Sequence, residues 1–78
     1  MMDPVKDNLR EVLDAAERGR GTISPVLYVA ATEVGRREPA SEARVYLLQV
    51  LEELQSPDGL QDTTARLARA CLKGGQHV

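Results

Sequence analysis

The chain has 78 residues with a formal net charge of −2, 42% hydrophobic residues, one cysteine and one histidine. That length suits one domain with a small core. Cys71 and His77 provide neither an intramolecular disulfide nor a closed four-ligand zinc site, and the acidic balance argues against a general nucleic-acid binder.

The first helix is expected over about 4–18. Asp3 is placed to cap it and Pro4 suits the first helical position. Val5, Leu9, Val12, Leu13 and Ala16 fall on one face at 100° per residue, with Asp7, Arg10, Glu11, Asp14 and Arg18 opposite. Asp14 and Arg18 have the i,i+4 spacing of a weak helical ion pair. The run Gly19-Arg20-Gly21 ends the helix, with glycine expected in a left-handed cap.

Ser24-Pro25 repeats the cap-plus-proline signal and opens a second helix, over about 25–36, with Ile23 placed as a hydrophobic staple. Its stripe is Leu27, Ala30, Ala31 and Val34, and it ends near Gly35-Arg36-Arg37. The third helix is expected over about 40–55, with Ala43, Leu47, Val50, Leu51 and Leu54 on its stripe and Tyr46 at the edge. Ser56-Pro57-Asp58-Gly59 breaks the chain or caps the next helix directly. A fourth helix, over about 58–73, carries Leu60, Thr64, Leu67, Ala68, Cys71 and Leu72, and 74–78 form a frayed tail. There is no strand-like alternation and no internal repeat.

The expected fold is therefore all-α: one domain over 1–78, a small bundle of four amphipathic helices joined by short loops. The arrangement is an antiparallel up-down bundle or an orthogonal array. With only Tyr28 and Tyr46 as aromatics, the core is built from Leu, Val and Ala. No apolar run approaches the roughly 20 residues of a membrane span. Met1-Met2-Asp3-Pro4 lacks the order of a signal peptide. Cytoplasmic residence, with no membrane partner, is the expectation.

Chemistry-bearing residues do not converge. Glu11, Asp14, Glu52 and Glu53 are expected on solvated faces, and useful pKa shifts require burial. Cys71 lies in register with the helix 4 stripe and reads as a buried, inert core cysteine. Arg66, Arg69 and Lys73 share the outer face of helix 4 with Asp62, and Arg36-Arg37 is flanked by Glu33 and Glu38. Ala31, Val34 and Gly35 match the first helix and turn of a helix-turn-helix. The match then fails, because Ser41 stands where the recognition helix needs a core aliphatic. Gly19 and Gly21 lack any phosphate-loop or dinucleotide pattern after them. No enzyme, cofactor, metal or small-molecule site is expected.

The informative feature is surplus apolar surface. Val26, Tyr28 and Val29 on helix 2, and Val45 and Leu48 on helix 3, fall off the main stripes. Either helix 3 is central and buried on several sides, or the second face of helices 2 and 3 is an interface. Four helices rarely bury one member all round, and exposed apolar patches usually mark contact sites. The expectation carried forward is a non-enzymatic protein–protein interaction module. It binds a partner helix or a second copy through those five residues. The alternative is a small nucleic-acid-binding regulator using Arg36, Arg37, Arg44 and the helix 4 cations, although nucleic acid is not the expected partner.

Overall fold

A computed structural model describes residues 3–19 and 22–74. The described residues form four helices: α1 (Pro4–Arg18), α2 (Pro25–Arg37), α3 (Glu42–Gln55) and α4 (Asp62–Gly74). Residues 20 and 21 of the expected α1 stop, and 75–78 of the expected tail with His77, lie outside the described residues.

Three of the helices start where a short polar side chain satisfies free backbone N–H groups. Asp3 accepts from the N–H groups of Val5 at 2.9 Å and Lys6 at 3.4 Å. Ser24 accepts from Leu27 at 3.2 Å and Ser41 from Arg44 at 3.2 Å. The end of α1 differs from expectation. Gly19 has φ −90°, outside the left-handed region. Its glycine is required for another reason: a Cβ there would stand 2.4 Å from the Thr22 carbonyl oxygen. The chain reverses so tightly that only a residue without a side chain fits.

Helix α2 ends at Arg37, within the expected Gly35-Arg36-Arg37 stretch. Gly35 lies buried in its last turns, and a Cβ there would stand 2.9 Å from Leu48 Cδ2. Among the described residues the left-handed glycine is Gly59, at φ 74°. It turns the chain after α3 and delays α4 to Asp62, so Leu60 packs against the core from the preceding loop.

One core joins the four helices. Val5, Leu9, Val12 and Leu13 of α1 meet Ala31 of α2, Ala43, Leu47, Val50 and Leu51 of α3, and Ala68 and Leu72 of α4. Helices α1 and α3 each touch all three others, whereas α2 and α4 share no contact among the described residues. Contacts near both ends fix the directions. Glu53 meets Thr64 while Glu42 meets Cys71, and Tyr28 meets Gln55 while Gly35 meets Arg44. Thus α3 runs antiparallel to both α2 and α4. The molecule measures 36 × 25 × 18 Å, so its thinnest dimension is about two helix diameters.

Burial on several sides accounts for part of the α3 surplus but not for all of it. The helix is central and packs on three neighbours, yet it still presents Val45 to solvent. Leu67, expected on the α4 stripe, is 49% exposed. It projects about 100° away from Ala68, and α4 has neighbours only on the α1 and α3 sides.

Candidate partner-binding face

Helices α2 and α3 lie side by side with their stripes turned to the core. Their seam is held by small and polar groups. Leu48 of α3 lies over Gly35, the one position on this side of α2 with no side chain to obstruct it. The Arg44 guanidinium donates from Nε to the Gly35 carbonyl oxygen, satisfying an acceptor near the α2 C-terminus where a cation is electrostatically favoured. At the other end of the seam, Gln55 donates from its amide to the Tyr28 hydroxyl. The Thr32 hydroxyl donates back to the Tyr28 carbonyl at 2.9 Å, within its own helix.

These contacts divide the five residues singled out from sequence. Val26, Val29 and Val45 are 80%, 64% and 61% exposed. Tyr28 and Leu48 are half-buried. The three valines therefore form the outermost apolar surface, and Tyr28 and Leu48 form the floor beneath it. Beside Val29, a shallow cleft at the α2 N-terminus and α3 C-terminus is lined by Ile23, Pro25, Tyr28, Leu54 and Gln55. Sequence periodicity identified the valines but not this cleft, because the loop residue Ile23 and the end of α3 meet only in the folded chain.

The cations considered for nucleic acid are dispersed or engaged. Arg44 belongs to the α2–α3 seam. Arg69 pairs with Asp14 at 2.8 Å and with Glu17 at 3.8 Å, tying α4 to α1. Asp14 thus has an inter-helix partner in place of the expected Arg18. Arg36, Arg37, Arg66 and Lys73 are exposed.

Two further expectations change in the structure. Glu53 is half-buried and serves the fold, rather than facing solvent freely. Its carboxylate accepts from Gln49 at 2.8 Å, from the Thr64 hydroxyl at 2.7 Å and from the Gln61 backbone N–H at 3.0 Å. It thereby caps α4 from α3. Burial opposes its ionised form, but the three hydrogen bonds outweigh that and hold its pKa below the ordinary 4.5.

Cys71 is half-buried rather than buried. Its thiol borders a cleft between α1, α3 and α4 that also takes in Lys6, Glu42, Tyr46 and Leu67. Desolvation, then the Glu42 carboxylate 3.9 Å from Sγ, push the thiol pKa up. That environment suppresses the nucleophilic thiolate. Among the described residues, no group of three or more His, Cys, Asp or Glu is arranged to hold a metal ion. No described helix is long and apolar enough to cross a membrane.

The fold and its surfaces define a small all-α helical bundle. Comparison with protein-family models, with curated proteins and with solved structures returns no match.

Proposed function

We propose that this chain is a non-enzymatic protein–protein interaction module that binds through the outward face of α2 and α3. The observation that carries this reading is the placement of Val26, Val29 and Val45. They stand more than half exposed on adjoining helices, on the side away from the shared core. The cleft beside Val29 extends the apolar surface to Ile23 and Leu54.

Magnitudes set the kind of binding. Full burial of a valine contributes about 1.5 kcal/mol, so three contribute about 4–5 kcal/mol. Lost translational and rotational freedom costs about 4–15 kcal/mol. The valines alone do not hold a partner, and the cleft and rim polar groups must contribute the rest. A weak, reversible complex with a dissociation constant of roughly micromolar or above follows.

The nucleic-acid reading draws less support. Arg44 and Arg69 already have intramolecular partners, and the exposed cations are split between α2 and α4, which do not touch. Phosphate binding favours a continuous basic footprint.

The test is site-specific photo-crosslinking in the source cells. A photoreactive residue at position 29 or 45 is expected to give discrete protein adducts. The same residue at position 66, on the outer side of α4, is expected to give none. Equal labelling from all three positions, or no adduct from 29 and 45, overturns the reading.

A further inference from the structure

We draw no further inference here: the strongest candidate, the outward face of α2 and α3 around Val26, Val29 and Val45, is the surface already described, and nothing in the structure shows what covers it.

Discussion

Helices α1 and α2 are close in length and differ in how completely they bury their large apolar residues. In α1, Val5, Leu9, Val12, Leu13 and Ala16 are all buried, and apart from Pro4 and Ala15 the remaining residues are polar. In α2 the buried residues are Ala31 and Gly35, while Val26 and Val29 stand in solvent. Helix α3 combines the two habits, burying Ala43, Leu47, Val50 and Leu51 and exposing Val45. One region is organised for the interior. The other fully buries only small residues, packs Leu27, Tyr28 and Val34 partly against the core, and leaves Val26 and Val29 outward. Small buried residues let α2 lie close to its neighbours, and the face left over is the one assigned to binding.

The largest effect that sharpens this contrast is expected in the interior. Leu9 and Leu47 are both fully buried. Replacing either with alanine is expected to cost about 2–5 kcal/mol in chemical denaturation, through lost burial and the cavity left behind. The corresponding Val29→Ala is expected to stay within about 0.5 kcal/mol of wild type, as ordinary surface substitutions do. Similar losses at Leu47 and Val29 would erase the distinction between the two regions.

The two close-approach glycines form the next pair. Gly19→Ala drives a Cβ into a backbone carbonyl at 2.4 Å, which cannot swing aside. A loss of about 1–3 kcal/mol in thermal or denaturant unfolding is expected, the usual range for overpacking. Gly35→Ala meets the far end of Leu48, a half-buried side chain with room to rotate. Its helix-propensity gain of about 1 kcal/mol offsets much of that shift, so the net change is expected within about 1 kcal/mol. A greater loss at Gly35 than at Gly19 would show that Leu48 is locked and that the α2–α3 seam is more rigid than described.

Glu53 gives a pH-dependent test of how α4 is joined to the bundle. Its pKa is lowered by folding, so its ionised form contributes stability above the unfolded value. That contribution is lost as pH falls from about 4.5 through the lower folded value. Glu53→Gln is expected to cost about 1–2 kcal/mol at neutral pH, the scale of hydrogen bonds to a charged group. The variant should lose less additional stability than wild type on acidification below about pH 4.5. Parallel pH profiles for the two proteins would show that the carboxylate does not cap α4. The smallest effect belongs to Arg69→Ala. It removes exposed pairs with Asp14 and Glu17 and is expected to cost no more than about 1 kcal/mol, with the difference shrinking as salt is added.

Much of this contrast is legible before folding, because it rests on periodicity and capping. Asp3, Ser24 and Ser41 mark helix starts through bonds made within three residues of each cap. The α1 stripe and the off-stripe valines follow from counting at 100°. What escaped depends on residues distant in sequence. Glu53 looks like half of a solvated acidic pair until α4 places Thr64 and Gln61 against it. Gly35 falls in the last turns of α2 by pattern, but its close packing under Leu48 shows only once α3 lies against it. Leu67 looks like core because periodicity reports a face but not how wide a strip the neighbours cover.

The central claim is that the outward valines of α2 and α3 belong to binding and contribute little to the fold. The direct measurement is the denaturation free energy of the purified triple variant Val26→Gln/Val29→Gln/Val45→Gln at a concentration of about 1 µM, low enough to keep association from adding to apparent stability. Glutamine is a slightly better helix former than valine. The account predicts stability equal to or slightly above wild type. A loss of more than about 2 kcal/mol would mean that these valines are needed by the fold, and would contradict it.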